Sequence, residues 1–349
     1  MALLKRKSKG LTLLFLGLCL LGFASAPLAF DKVIRFPFRL VSPPLFYHNT
    51  FFAFTSDGKL IKLNQFGQQE WFLPKLKEEC RDLALKFNFL FYLDKQGRLE
   101  TYDANFGYRV WHQDTLAIQK LYVGYPYLYF LDKNGTLGSL DFFSGLPLWT
   151  LKPSEPLTDL CVVGTTLYVT HKGQLLCVDG ISGKQRAAYL IPSLGKTHLL
   201  KGFEDGIVIE QNQALSWFNF KTKTLTPRKA SLPKGPWLIT ESGALISGNP
   251  AQNLWSVFDL KANTHRFEKA ILNQGAVKTI LLGETELGAF TVNDNAQFLS
   301  YATGVSSSET VSIAGTYTQD YLCFFRRGST AYIFTRNDLV ITHLEPKKP

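Results

Sequence analysis

The sequence is poor in paired chemistry. Its five cysteines include no adjacent pair, and its six histidines include no two at metal-ligand spacing. Such scatter excludes a zinc site built from one local motif, so His48, His112, His171, His198, His265 and His343 read as surface or loop residues. No Gly-x-Ser-x-Gly run is present, which removes the commonest hydrolase elbow. Phosphate-loop chemistry is missing as well. Gly195-Lys196-Thr197 ends like such a loop, but Leu190 stands where its first glycine is needed, and Gly183-Lys184 is followed by Gln185. Charge is scarce, at 19% of residues, and the net +10 falls to +6 once Lys5, Arg6, Lys7 and Lys9 of the first segment are set aside. So weak a balance, with no basic run interleaved with aromatics, excludes a nucleic-acid footprint.

What is present is apolar and aromatic. Hydrophobic residues make up 46% of the 349-residue chain, enough for a sizeable core, and 28 Phe and 14 Tyr against one Met suit packed sheets. Residues 1–30 read as an export signal, expected as a targeting helix: a basic start, an uncharged run from Leu11, then Ala24-Ser25-Ala26. Cleavage after Ala24, ahead of Ser25, places Gly22 and Ala24 at the small-residue positions. The alternative is an uncleaved anchor, since Leu11 to Phe30 gives twenty residues without a charge, about one membrane thickness. Cys19 follows Leu18 where lipid attachment wants a small residue, so it reads as a cysteine in an apolar segment. Either outcome places residues 31–349, a single domain, outside the cytoplasm, in the periplasm or anchored facing it.

One phrase recurs along that domain: two or three apolar residues, a tight turn, alternating apolar residues, then Asp or Asn. It runs from Phe51 to Asn64, Leu90 to Asp103, Leu128 to Asp141 and Leu167 to Asp179, with turn glycines at Gly58, Gly97, Gly135 and Gly173. A period of 38–39 residues with strand-like alternation is the mark of a propeller blade. Four weaker copies, centred on Gln213, Asn253, Asn295 and Asp338, replace the glycine. Asn and Asp tolerate a left-handed turn position and Gln does not, so the Gln213 blade is the least secure. The expected fold is all-β, an eight-bladed propeller of four-stranded blades, with seven blades as the alternative.

A second turn follows each strong copy, Asn105-Phe106-Gly107, Phe143-Ser144-Gly145 or Ile181-Ser182-Gly183, and the outer strand carries Trp71, Trp111 or Trp149. A tryptophan recurring at one blade position predicts packing against the next blade. The last copy lacks an outer strand, and Val33 to Leu40 is a spare alternation that predicts closure of the ring, Pro37 being acceptable on an edge. Cys161 and Cys177 fall on the first and third strands of one blade, about 10 Å apart and beyond disulfide reach. With Cys80 and Cys323 they are expected as buried thiols.

The run Leu128 to Trp149, with Asn134-Gly135, Leu140-Asp141, Ser144-Gly145 and Trp149, resembles the pyrroloquinoline-quinone-type propeller repeat. The likeness is good over roughly residues 45–190 and weaker but in phase beyond. Two groups share that repeat, the quinoprotein dehydrogenases and the non-enzymatic outer-membrane barrel-assembly scaffold; an export signal with eight blades resembles the second. The dehydrogenases carry a vicinal cysteine pair and an acidic calcium site that this sequence lacks, so no cofactor and no metal are expected. The resemblance implies a monomeric, non-enzymatic scaffold whose partners are envelope proteins, the barrel-assembly machine being the candidate. The rival expectation is a small-ligand or glycan-binding propeller, or a cryptic enzyme, working from the central funnel. An exposed aromatic patch on one face would favour the scaffold, and a funnel pocket with convergent polar groups would favour the rival.

Overall fold

The computed structural model describes residues 32–74, 76, 80–191, 197–233, 235–270, 277–282, 286–291, 295–300, 306–312 and 321–343. Apart from a short 3-10 turn at Pro250–Gln252, every regular element among them is a β-strand, from β1 (Lys32–Arg35) to β32 (Asp338–His343). Residues 45–73, 80–113, 118–151, 159–190, 197–231, 237–270 and 277–312 form blades 1 to 7, each a run of four consecutive antiparallel strands. The remaining sheet is composite: β30 (Tyr321–Arg327), β31 (Thr330–Thr335) and β32, with β1 on the outer edge. The eight repeats counted in the sequence thus become seven contiguous blades. The eighth copy supplies three strands only, and the other end of the chain supplies the fourth. The targeting helix expected over residues 1–30, with Ala24 and Ser25, lies outside the described residues, and the structure gives it no support.

Closure is shorter than the sequence pattern predicts. Lys32 pairs with Ile341 and Arg35 with Asp338, and there the strand stops. Pro37 has no N–H to continue a ladder, so the chain leaves the edge through single bonds, Phe36 N to Asn337 O (2.8 Å) and Leu40 N to Arg336 O (2.7 Å). The seam is dry: Phe51, Ala53, Ile61 and Leu63 of blade 1 share one buried cluster with Phe334, Leu339 and Ile341 of the composite sheet.

Turn chemistry explains the repeat. Gly58, Gly97 and Gly135 hold φ of +82°, +92° and +76°, each ending a three-residue turn such as Gly58 N to Thr55 O (2.9 Å). Gly173 (+72°) follows Lys172 (+46°) in a two-residue hairpin. Gln213 departs from expectation by keeping the turn at φ +69° beside Asn212 at +53°, with its N–H donated to the Glu210 carboxylate. Asn253 sits at +54°. Asp338 departs in the other direction. Its N–H is taken by the Thr335 hydroxyl (2.9 Å), so Arg336 and Asn337 make the turn and Asp338 opens β32. The turn centred on Asn295 falls partly outside the described residues.

The terminal Asp or Asn of each phrase caps the second turn. Asp103 Oδ1 accepts the N–H groups of Asn105 (2.8 Å) and Phe106 (2.9 Å), and Asp141, Asp179, Asn219 and Asp259 repeat the arrangement. Beneath that turn lies the tryptophan of the preceding blade. The Trp71, Trp111 and Trp149 indoles donate to the carbonyls of Ala104 (3.2 Å), Phe142 (3.3 Å) and Gly180 (2.9 Å). A β-carbon on Gly145 would stand 2.4 Å from the Trp111 ring, which is why glycine holds that turn. Sequence spacing, cap, glycine and tryptophan are one device repeated across three seams.

Candidate binding surfaces

The first strands of adjacent blades approach one another, so they line the centre of the ring. In an antiparallel blade the turns between strands 2 and 3 lie at one end with the links between blades. Those between strands 1 and 2 and between 3 and 4 lie at the other. The first end is here the cleft face and the second the turn face.

On the cleft face, the seam of blades 1 and 2 opens into a cleft of about 880 Å³. Pro43, Pro44, Leu45, Phe54, Leu76 and Leu83 supply apolar lining, and Asp57, Arg81, Asp82 and Lys95 supply charge. Arg81 is placed by a β-bulge between Cys80 and Asp82 in the first strand of blade 2, a device that re-aims one side chain out of the ladder. Its Nη1 donates to Ile118 O of blade 3 at 3.2 Å. Lys59 (2.7 Å) and Thr55 hold the Asp57 carboxyl below the usual carboxylate range. A side groove of about 340 Å³ shares Leu76 with the cleft and carries the Asp94–Arg98 ion pair (2.6 Å).

Deeper along the inner wall, Asp159 ties three blades together. It is 1% exposed. One carboxylate oxygen takes Lys120 Nζ of blade 3 and the N–H of Leu160 (2.7 Å). The other accepts Leu199 N of blade 5 (2.9 Å), with His198 Nδ1 3.6 Å away. All its oxygens are engaged inside the wall. A carboxylate held in that way braces the ring.

The turn face is different in kind. Phe66, Phe106, Phe143 and Ile181, at the second turn of blades 1 to 4, are 50%, 76%, 53% and 57% exposed. Phe87 and Tyr125 rise from the turns between strands 1 and 2 of blades 2 and 3, with ring centroids 5.0 Å apart. Tyr125 and Phe143 lie 6.1 Å apart and share Phe142 beneath them. Aromatic area exposed over adjacent blades is unusual on a surface that only faces water.

The residues singled out by the repeat are joints at these two faces. Each turn glycine receives the link that leaves its own blade: Leu76 N to Gly58 O (3.0 Å), Ile118 N to Gly97 O (2.9 Å), Leu157 N to Gly135 O (3.2 Å) and Ile191 N to Gly173 O (2.8 Å). Gly58 lies on the cleft wall. The three tryptophans sit under the turn face, and no reactive group joins them. Cys80, Cys161, Cys177 and Cys323 are free thiols, Cys161 and Cys177 buried as expected and Cys80 and Cys323 only half-buried at the first strands of their sheets. Burial pushes Cys80 and Cys161 up to about 12, which leaves them unreactive near neutral pH. Among the described residues no group of three His, Cys, Asp or Glu side chains could hold a metal ion. None of their helices is long and apolar enough to cross a membrane.

Fold and surfaces together define a β-propeller. No family model matches the sequence, and no curated protein matches it. Solved structures share the fold. BamB from Moraxella catarrhalis aligns at TM-score 0.59 and 12% identity, over 89% of this chain and 98% of that one. The computationally designed protein Ika8 aligns at 0.64 and 12%, over 89% and 98%. Dihydro-heme d1 dehydrogenase NirN, in complex with DHE, aligns at 0.62 and 15%, over 91% and 77%. At such identities the likeness is one of fold.

Proposed function

We propose that this chain is a non-enzymatic scaffold of the cell envelope that binds other proteins, in outer-membrane protein assembly. The observation that carries the reading is the cleft between blades 1 and 2. It is open and about 880 Å³ in volume, with turn backbones and apolar side chains along it and both signs of charge at Arg81, Lys95, Asp57 and Asp82. An extended polypeptide segment offers complementary groups of each kind: backbone donors and acceptors, apolar side chains and charges. The repeat's resemblance to the barrel-assembly scaffold group and the fold shared with BamB support the setting.

The test is a pull-down from native envelope membranes with the tagged full-length protein, read by mass spectrometry and repeated with Arg81→Ala. Recovery of barrel-assembly components, reduced by the substitution, is the expected result. Recovery of nothing beyond background would sink the scaffold reading.

One observation favours the rival reading, a small-ligand or glycan-binding propeller or cryptic enzyme working from the central funnel: a pocket of about 290 Å³ among the first strands of blades 2 to 4, where Arg81, Asp82, Gln119, Lys120 and Tyr122 converge. Thermal-shift screening of glycans and small metabolites against the wild type and Arg81→Ala separates the two. A ligand that stabilises only the wild type, with no captured protein, selects the second.

A further inference from the structure

The aromatic turn face is not used by the cleft reading, and the chain itself indicates what covers it. The propeller begins at Lys32, the first residue of β1. As a fourth strand, β1 runs from the turn face toward the cleft face, so Lys32 stands on the turn face. Its Nζ lies 5.9 Å from the ring centroid of Phe66, one of the exposed aromatics. Immediately upstream, residues 11–30 carry no charged side chain, a length of apolar sequence matched to a bilayer's hydrocarbon core, and only Asp31 intervenes. The chain thus enters the propeller on the side that carries the exposed rings, which is the side an uncleaved anchor would hold toward a bilayer.

We propose that the turn face rests on a phospholipid bilayer. Phe66, Phe106, Phe143 and Ile181 enter the interfacial region from four successive blades, with Phe87 and Tyr125 beside them. The Phe and Ile side chains bury apolar surface at the headgroup–acyl boundary, and Tyr125 adds an apolar ring with a polar tip suited to that depth. Exposed lysines complete the pattern. Lys86 lies 5.8 Å from the Phe87 ring, and Lys184, Lys221 and Lys223 occupy the second turns of blades 4 and 5. Lysines beside interfacial rings pair with anionic headgroups and add electrostatic attraction. The cleft, at the opposite end of every blade, then faces away from the membrane and stays open to partners.

The test uses the full-length protein reconstituted into vesicles of phosphatidylcholine and phosphatidylglycerol. A polarity-sensitive fluorophore is attached at Phe106→Cys, at Phe143→Cys or, on the cleft face, at Lys95→Cys. Both turn-face substitutions replace exposed side chains, and the five native cysteines, Cys19, Cys80, Cys161, Cys177 and Cys323, are replaced by alanine in all three proteins so that the label has one site. Acyl-brominated lipid is expected to quench the labels at 106 and 143 at least about twofold more than the label at 95, since interfacial groups bury about 5–10 Å into the headgroup boundary. Equal quenching at all three positions, or none at 106 and 143, overturns the proposal. A photocrosslinker at position 143 in native membranes is expected to label lipid. Adducts confined to protein would assign the face to a protein partner and also overturn it. Protein capture through the cleft does not depend on these labels, so failure here leaves the scaffold reading to its own pull-down.

Discussion

The two ends of the same blades carry opposite chemistry. On the cleft face, turns such as Thr55-Ser56-Asp57-Gly58 are polar, and their glycine carbonyls receive the links between blades. On the turn face, the second turns of four successive blades expose Phe66, Phe106, Phe143 and Ile181. The difference teaches where a repeat is free to vary. The second turns of blades 1 to 6 are already held from beneath, by the Asp or Asn cap and, at blades 2 to 4, by the tryptophan of the preceding blade. At each tip in blades 1 to 4 the side chain is half or more exposed and available for contact, Phe143 resting also on Phe142 and Phe89. Cleft-face turns instead receive the links that join the blades, so their composition stays close to what a tight turn requires.

The comparison can be broken most forcefully at a seam. Trp111→Ala removes a ring that packs under Gly145 and donates to Phe142 O. It is expected to cost about 3–5 kcal/mol, as large aromatic truncations do, in denaturant unfolding. Native-state hydrogen exchange should rise at the blade 3 turn and leave the cleft protected.

Asp159→Ala attacks the inner wall instead. It strands Leu160 N and Leu199 N and releases Lys120, with an expected cost of about 2–4 kcal/mol for unsatisfied buried donors. Faster exchange should then appear along the first strands of blades 4 and 5, with the turn face unchanged. If either variant loosened both faces equally, the ring would behave as one cooperative unit and the contrast would concern surface chemistry alone.

A smaller effect sharpens the contrast. The double substitution Phe66→Ser and Phe106→Ser should change stability by no more than about 0.5 kcal/mol, as exposed substitutions do, while vesicle co-sedimentation of the full-length protein falls. A stability loss well above that figure would make those rings part of the core. The gentlest test is pH. Buried thiols whose titration is pushed from 9.0 up to about 12 stay protonated in the fold while the unfolded chain ionises, so the unfolded state binds fewer protons over that interval. Stability is therefore expected to fall as pH rises from about 9 to 12, more steeply in the wild type than in Cys161→Ala, by denaturant midpoints.

Much of the ring was legible because its causes are local. A glycine every 38–39 residues, an Asp or Asn after alternating apolar residues, and a tryptophan on the outer strand each have a short-range role in the turn or seam they build. The residue preferences of single turn positions were overridden where a side chain of the same turn, three residues earlier, took the backbone N–H. Gln213 keeps a left-handed turn because the Glu210 carboxylate receives its N–H, and Asp338 leaves the turn because Thr335 takes its own. The candidate surfaces were harder to read. Arg81 reaches the cleft through a bulge, and Asp159 is a brace only because two neighbouring blades bring Lys120 and Leu199 to it. A signal for the turn face was present all along, in Phe106 and Phe143 standing where a turn ordinarily places polar residues.

By itself the sequence determined the period, the strand alternation and the identity of the turn and seam residues, since spacing and φ preference act within a few residues. The tertiary structure alone decided that the closing strand stops at Arg35, that charged groups converge at one seam, and that apolar turn tips share one face. Those outcomes depend on which blades become neighbours and which strand ends point the same way, relations that exist only once the ring has closed.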